Sequence, residues 1–172
     1  MNYSILMSVY KKEQPEYLDA CLESIFASTL LSDDVIIVED GPLTRDLDSI
    51  LDKYVQKYSA IKIITLEENR GLGIALNHGL KYCKNELVAR MDTDDLCIKD
   101  RFETQVKAFE EDASISVVGG MIAEFVDNPD NVISIRKVPV EAENIKYFSR
   151  KRNPVNHVTV MFRKKDVLEV GG

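Results

Sequence analysis

The chain has 172 residues, 45% of them hydrophobic, which is enough apolar sequence for the core of one domain. Its 22 Lys and Arg against 29 Asp and Glu give a net charge of -7, which argues against binding to nucleic acids or anionic lipids by general electrostatic attraction. The three cysteines form no C-x-x-C pair, and this argues against a disulfide framework or a thiolate zinc site and favours the reducing cytoplasm.

Strand and helix patterns alternate from the amino terminus to residue 109. Apolar and β-branched runs typical of buried strands cover residues 3–9, 35–38, 61–66 and 87–91. Apolar residues at helical spacing follow each run, in helices predicted from residue 15 and over residues 47–58, 71–82 and 102–109. Four successive strand and helix pairs predict an α/β fold: a Rossmann-like, doubly wound, mostly parallel sheet with helices on both faces.

The pattern changes after Ile115. Apolar residues up to 126 and the run VISIRKV over 132–138 flank a turn-like segment, which predicts two strands joined by a hairpin and hence a mixed sheet. Residues 142–153 are polar and basic and fit either a helix or a loop. Residues 157–163 are predicted to form one more strand.

Polar residues follow three of the predicted strands. Ser8 and Tyr10 lie at the end of the first strand, Glu39 and Asp40 follow the second, and residues 92–95 follow the fourth. Ligands of open α/β sheets bind beyond the carboxyl ends of the strands, so we expect these side chains to meet at one rim. Tyr10 fits a stacking surface for a base, and the alternative is an aromatic residue at the rim of the core.

The sharpest chemical signal is the acidic tip, residues 92–95, which read Asp-Thr-Asp-Asp. Three carboxylates within four residues repel one another unless a cation lies among them. Mg²⁺ and Mn²⁺ bind one or two carboxylates and complete their shell with water and phosphate oxygens, which implies a phosphate-bearing substrate. The alternative is an acidic turn that caps the next helix. A calcium loop is excluded, because Leu96 and Cys97 stand where an oxygen ligand and the turn glycine belong.

A glycine-containing segment, residues 69–73, matches a dinucleotide-binding fingerprint only in part, because Leu76 replaces its third glycine and the segment follows the third strand. Its glycines allow the backbone to approach a ligand or the helix to pack closely on the sheet, and ordinary turn chemistry is the alternative. Asn77 lies one helical turn beyond these glycines.

The carboxyl-terminal part contains two basic triplets, residues 150–152 and 163–165. We interpret them as solvated faces, or as sites for an anionic ligand or a membrane surface. His157 is interpreted as a structural histidine. No apolar run reaches about eighteen residues and the amino terminus lacks a signal-peptide pattern, so nothing predicts a membrane span or export.

Five segments in a fixed order resemble a known family: SILMSVYKKEQPEYLDACLESI, VIIVEDGP, ENRGLGIALNHGL, ARMDTDD and NPVNHVTVMFRKKDVLEVGG. The chain resembles the family 2 glycosyltransferases with the GT-A fold, and is most similar to the branch that makes bacterial exopolysaccharide and O-antigen, including amylovoran biosynthesis transferases. The resemblance covers the whole chain and implies a single GT-A nucleotide-sugar-binding domain over residues 1–172.

The resemblance also implies roles for individual residues. Ser8 and Tyr10 would contact the nucleotide, Asp40 would hydrogen-bond the base, Asp92 would reach the ribose, and Asp94 would ligate Mn²⁺ or Mg²⁺. Asn77, in the third helix, joins the candidate nucleotide-binding residues.

Two departures from the family pattern qualify these roles. Many relatives carry arginine where this chain has Leu76, so an arginine contact to the nucleotide is absent or comes from Arg70 or Arg90. Relatives continue past the Gly-Gly pair into an acidic segment whose aspartate is the general base, whereas this sequence stops at Gly172. We therefore expect the base beyond Gly172 and a domain truncated before its base and acceptor segment.

The function implied by the resemblance is transfer of a sugar from a nucleoside diphosphate sugar, most simply a UDP-sugar, to a glycan or lipid-linked oligosaccharide acceptor. The setting would be bacterial exopolysaccharide, capsule or O-antigen synthesis, in the cytoplasm and, through peripheral association, at the inner face of the membrane. The reaction would be metal-assisted and inverting. The sequence leaves open the donor sugar, the linkage and the oligomeric state.

Two other functions are the alternatives. A nucleotidyltransferase acting on a sugar phosphate would carry a glycine-rich loop with a basic residue straight after the first strand, where residues 9–13 read VYKKE. A receiver-like signalling domain would need an acidic pair at that place and a phosphorylatable aspartate after the third strand, where residues 67–69 read EEN.

Overall fold

The computed structural model describes residues 1–172 as eight strands and six α-helices. The strands are β1 (Tyr3–Val9), β2 (Val35–Glu39), β3 (Ile61–Thr65), β4 (Leu87–Arg90), β5 (Val117–Val118), β6 (Ile122–Phe125), β7 (Val132–Arg136) and β8 (Met161–Arg163). The helices are α1 (Pro15–Phe26), α2 (Arg45–Lys57), α3 (Leu72–Leu80), α4 (Arg101–Glu111), α5 (Ala142–Phe148) and α6 (Lys164–Glu169). None of the helices combines the length and the apolar character that crossing a bilayer requires.

The main sheet has six strands in the order β3-β2-β1-β4-β8-β5. β1 to β4 are mutually parallel, whereas β8 runs antiparallel to both β4 and β5. The predicted mixed, mostly parallel α/β sheet is confirmed. Its antiparallel member is β8, and the predicted hairpin forms a separate two-stranded sheet of β6 and β7.

Two predictions for the carboxyl-terminal region need correction or completion. The strand predicted over residues 157–163 begins only at Met161, because His157–Thr159 forms a 3₁₀ turn closed by a hydrogen bond from Thr159 N to Asn156 O of 3.0 Å. The segment that fitted either a helix or a loop contains the short helix α5.

The register of the parallel strands brings their carboxyl ends to one edge. Val9 at the end of β1 pairs with Glu39 at the end of β2, and Leu6 of β1 pairs with Arg90 at the end of β4. The pairing continues into the loops, since Asp40 N donates to Val9 O at 2.8 Å. Residues that follow β1, β2 and β4 therefore begin at the same edge of the sheet.

The core consists of two apolar layers, one on each face of the main sheet. Successive residues of a strand point to opposite faces, so Ile5 and Met7 belong to the larger layer and Leu6 to the smaller one. Apolar faces of α1, α2 and α4 cover the larger layer. Residues of α3 cover the smaller layer, with Val167 of α6 packed against it. The predicted helices on both faces are confirmed.

Gly79 lets α3 pack closely on the sheet, and its replacement tests that packing. A Cβ at Gly79 would lie 2.5 Å from Val38 Cγ2 and 2.7 Å from Leu6 Cδ1. We expect Gly79→Ala to lower the free energy of unfolding by about 1–3 kcal/mol, because overpacking forces the sheet and helix apart. Urea denaturation followed by circular dichroism measures this change.

Gly73 provides the matched control within the same helix, because a Cβ there would meet nothing within 4 Å. Gly73→Ala should leave the stability unchanged or raise it by about 0.5–1 kcal/mol, through the better helix propensity of alanine. Equal effects of the two substitutions would contradict the close packing of α3 at Gly79.

Candidate functional site

A cavity of about 510 Å³ lies beyond the carboxyl ends of the parallel strands. This smaller cavity brings together five of the six residues predicted for nucleotide and metal binding: Ser8, Tyr10, Asp40, Asp92 and Asp94. Its volume falls within the usual range for small-molecule sites. The expectation that polar strand ends meet at one rim is confirmed for these five positions.

The β1–α1 loop forms one wall of the smaller cavity. Tyr10 is 43% exposed, so its ring is accessible to a ligand. Glu13 accepts a hydrogen bond from the buried hydroxyl of Thr93, and its other carboxylate oxygen accepts from Gln14 N at 2.8 Å. The contact between Glu13 and Thr93 ties this loop to the acidic tip. The sequence contains no motif that would have identified Glu13 as a site residue.

Asp40 organises the loop that opens α3. Its side chain is only 4% exposed, and its Oδ1 accepts from Arg70 N at 2.7 Å. Its Oδ2 accepts from Gly71 N at 2.9 Å and from Asn69 Nδ2 at 3.0 Å. Both carboxylate oxygens are thus engaged by residues 69–71, a role that the sequence did not predict.

Gly41 allows this arrangement through its backbone conformation. Its φ of +82° is in the left-handed region, and a Cβ there would lie 2.6 Å from Asn69 N. Only glycine therefore permits the β2–α2 loop to approach the segment that Asp40 holds.

Arg90 supports the acidic tip from inside the protein. Its side chain is 2% exposed, forms an ion pair with Asp92 and donates to Met91 O. Arg101 Nη2 donates in turn to Arg90 O at 2.7 Å. The thiol of Cys21 donates to Asp92 O at 3.2 Å. Arg90, one of the two candidates for an arginine contact to the nucleotide, is thus paired with Asp92 and lines neither the smaller cavity nor the larger one that also borders the tip.

Burial and repulsion within the tip both affect the ionisation of Asp95. The pKa of its carboxyl is raised to about 6, mainly by burial and then by the negative charges of Asp94 and Asp92. Burial, followed by the charge of Arg90, lowers the pKa of His157. Asp94 is exposed and forms neither an ion pair nor a side-chain hydrogen bond. A cation at the tip would therefore relieve a repulsion that the protein itself leaves uncompensated.

The chemistry of the donors fits a hard divalent ion. The tip offers only oxygen ligands, and no group of three or more His, Cys, Asp or Glu side chains is placed to hold a metal. A metal cage built wholly from the protein is therefore not formed. Mg²⁺ and Mn²⁺ commonly bind through one or two carboxylates and take phosphate oxygens as further ligands. The free carboxylate of Asp94 fits such a shared site.

A larger cavity of about 980 Å³ also borders the acidic tip. Asp92 and Asp94 line both cavities, so the two cavities meet at the tip. The remaining walls come from the β6–β7 hairpin, from residues 137–138, from Phe148 and from residues 152–158. Here His157, interpreted from sequence as structural, is an exposed lining residue.

The structure does not bring Asn77, the sixth predicted residue, to either cavity. The amino-terminal end of α3 lies at the smaller cavity, where Gly71 and Leu72 line the wall. A helix rises about 1.5 Å per residue, so Asn77 lies about 7 to 8 Å along the helix axis from Leu72. A Cβ at Gly172 would clash with the side-chain amide of Asn77, which places this residue against the carboxyl terminus instead.

An open, mostly parallel sheet with a ligand-sized cavity beyond its carboxyl ends defines the open α/β class of protein, whose ligands bind at this edge of the sheet. The sequence model of one family, Glycosyl transferase family 2, matches residues 4–171. The chain belongs to this family. Membership favours the glycosyltransferase function over the nucleotidyltransferase and receiver-like alternatives.

Several curated proteins are similar over the whole chain. An uncharacterized glycosyltransferase of Haemophilus influenzae is 44% identical over 172 residues, all of this chain and 64% of the relative. The amylovoran biosynthesis glycosyltransferase AmsE of Erwinia amylovora is 38% identical, over 98% of this chain and 62% of the relative. A UDP-Gal:alpha-D-GlcNAc-diphosphoundecaprenol beta-1,3-galactosyltransferase of Escherichia coli is 39% identical, over 99% of this chain and 61% of the relative. The chain thus spans less than two thirds of each relative.

Two solved structures share the fold at low sequence identity. The structure of S. aureus TarS 1-349 in complex with UDP aligns with a TM-score of 0.74 and 23% identity, over 99% of this chain and 49% of that one. The Pyrobaculum calidifontis mannosyltransferase PcManGT, in complex with GDP-Man and Mn²⁺, aligns with a TM-score of 0.71 and 17% identity, over 99% and 47%. These likenesses confirm the predicted GT-A type of fold.

The contacts of Asp40 lead to a stability prediction. Asp40→Asn replaces one acceptor oxygen with an NH₂ group, which leaves at least one partly buried N–H of residues 69–71 without its partner. A fully buried unsatisfied donor costs about 1–3 kcal/mol, and these donors are only partly buried, so we expect the free energy of unfolding to fall by about 1 kcal/mol. Chemical denaturation measures it.

Asp52, an exposed residue of α2, provides the control for the same chemical change. Asp52→Asn should alter the stability by less than about 0.5 kcal/mol. If the two variants unfold at the same denaturant concentration, the buried network around Asp40 does not contribute to stability.

Proposed function

We propose that the chain is a single nucleotide-sugar-binding domain of an enzyme that transfers a sugar from a UDP-sugar to a glycan or lipid-linked oligosaccharide. The pathway would be bacterial exopolysaccharide, capsule or O-antigen synthesis. One observation carries the proposal: Asp92 and Asp94 line two cavities at once. A group held at this boundary is accessible to a donor on one side and to an acceptor on the other.

The smaller cavity is the proposed donor site. Tyr10 offers an exposed ring on which a base can stack, with Ser8 beside it and Asp92 placed to reach the ribose. Asp40 acts by holding residues 69–71, and Asn69 and Gly71 of this segment line the same cavity. A uridine nucleotide is favoured because the E. coli relative is named for UDP-Gal and because TarS is found in complex with UDP and UDP-GlcNAc.

Asp94 is the proposed ligand of Mn²⁺ or Mg²⁺. It is exposed and unpaired, whereas Asp92 is committed to Arg90. The bound ion would neutralise the diphosphate and stabilise the negative charge that builds on the leaving group. The presence of Mn²⁺ in the PcManGT complex supports this choice of ion.

The larger cavity is the proposed acceptor site. With the donor diphosphate in the smaller cavity and the acceptor in the larger one, the departing diphosphate and the attacking acceptor hydroxyl would lie on opposite sides of the donor's anomeric carbon, beside the acidic tip. Attack opposite the departing diphosphate inverts the configuration at that carbon, so we propose an inverting reaction. The E. coli relative is named for a lipid-linked acceptor, which supports peripheral association of this chain with the cytoplasmic face of the membrane.

The metal role of Asp94 can be tested through nucleotide binding. We expect the unmodified chain to bind UDP more tightly with Mn²⁺ than without it. Asp94→Asn should reduce this Mn²⁺-dependent gain by about 10- to 100-fold, the range found when the support of a metal site is removed. Calorimetric titration with and without Mn²⁺ measures both affinities, and Asp52→Asn is the control. An undiminished Mn²⁺ effect in Asp94→Asn would remove Asp94 from the metal role.

The stacking role of Tyr10 can be tested separately from the metal. Base stacking on an aromatic side chain contributes about 1–3 kcal/mol, so Tyr10→Ala should weaken UDP binding by roughly 5- to 150-fold. Tyr10→Phe keeps the ring and should retain the affinity within about threefold. Should both variants bind UDP like the parent chain, the base lies elsewhere.

A further inference from the structure

Charge is distributed unevenly along the chain. Residues 132–172 contain nine Lys and Arg against four Asp and Glu, which gives them a net charge of +5. Residues 1–131 contain 13 Lys and Arg against 25 Asp and Glu, a net charge of -12. The cationic part supplies much of the wall of the larger cavity. This cavity therefore joins an acidic tip on one side to a basic wall on the other.

Only two of the cations that line this cavity are unpaired. Arg136 forms an ion pair with Glu124 at 2.6 Å across the β6–β7 hairpin. Lys137 and Arg152 line the same cavity, are exposed, and form neither an ion pair nor a side-chain hydrogen bond.

Two cations of the second basic triplet have structural partners. Arg163 Nε donates to Ile115 O at 2.8 Å, and Lys164 Nζ donates to Cys83 O at 2.6 Å. These contacts hold β8 and the start of α6 to neighbouring loops, and neither cation lines the larger cavity. Lys137 and Arg152 have no comparable structural partner, which leaves their charges available to an anionic ligand.

The larger cavity is also amphiphilic. Apolar side chains line the same walls as the two unpaired cations. They are Ile122, Ala123, Phe125, Val138, Phe148, Val155 and Val158. Its volume is at the upper end of the range for small-molecule sites. A ligand with a sugar, an anionic link and a hydrocarbon chain would match the acidic tip, the cations and the apolar walls.

We propose that Lys137 and Arg152 bind the phosphate or diphosphate of a lipid-linked acceptor, so that its sugar lies toward Asp94. The inference rests on the proposed function and names the acceptor class for it. The name of the E. coli relative describes such an acceptor, with a diphosphate between its sugar and its lipid. The phosphates of the donor are assigned to the smaller cavity, which neither Lys137 nor Arg152 lines and which has Lys12 in its wall.

Binding of two synthetic probes tests the proposal. One probe is N-acetylglucosamine joined to a decyl chain through a diphosphate, and the other is the uncharged decyl glycoside of the same sugar. Calorimetry on the whole chain should show that the diphosphate probe binds at least about tenfold more tightly, because charge-assisted hydrogen bonds to phosphate are strong. The double substitution Lys137→Gln and Arg152→Gln should abolish this preference and leave the affinity for UDP with Mn²⁺ unchanged.

A matched control removes two charges from the same segment outside the cavity. Lys146 and Arg150 are exposed and do not line it. Lys146→Gln with Arg150→Gln should keep the preference for the diphosphate probe. Equal losses in both double variants would overturn the site and indicate diffuse attraction, which binding to vesicles rich in phosphatidylglycerol would then show as the same loss in both.

Two further outcomes would also overturn the inference. Equal binding of the charged and uncharged probes to the unmodified chain would show that the phosphate is not recognised. Weaker UDP binding by the Lys137→Gln and Arg152→Gln double variant would show that these cations bind the donor phosphates instead. Failure of the proposed function gives a different result, because the unmodified chain would then not bind UDP with Mn²⁺ at all.

Discussion

The acidic edge of the sheet depends on hydrogen-bond donors that satisfy two of its carboxylates, the N–H groups of residues 69–71 and the buried guanidinium of Arg90. Burying a carboxylate without partners costs several kcal/mol, and the strand register brings Asp40 and Asp92 to one edge. Asp40 is satisfied by three N–H groups of residues 69–71, and Asp92 by the guanidinium of Arg90. Asp94 lies in solvent and needs no such partner. Asp40 and Asp92 are therefore engaged within the protein, whereas the carboxylate of Asp94 is free to bind a ligand.

The single positive charge of Arg90 does not neutralise the acidic tip. The tip contains three carboxylates and one ion pair, and the pKa of Asp95 is raised to about 6 by burial first and then by the charges of Asp94 and Asp92. Burial lowers the pKa of Arg90, and the nearby charge of Asp92 partly opposes this effect. A tip that keeps part of its negative charge can attract a divalent ion, and with so few ligands the ion would need phosphate oxygens to complete its shell.

Topology could be predicted from the sequence because apolar runs and helical spacing fix a parallel sheet, and such a sheet brings its strand ends to one edge. Five predicted residues meet there for this reason. The contacts of Asp40 and Glu13 could not be predicted, because they depend on loop paths such as the close approach of Gly41 to Asn69. Asn77 lies on α3, as predicted, but only the amino-terminal end of this helix reaches the cavity, and Asn77 is further along it.

Residues 1–131 and residues 132–172 carry opposite net charges, and this difference suggests how a protein of net charge -7 could bind two anionic substrates. The amino-terminal part is strongly acidic, so a diphosphate beside Asp92 and Asp94 requires a bridging cation. The wall formed by Lys137 and Arg152 already carries positive charge and requires none. On the proposals above, the donor would depend on the metal whereas the acceptor would not. The acidic tip, which borders both cavities, would keep the two sets of phosphates apart while the sugars meet beside it.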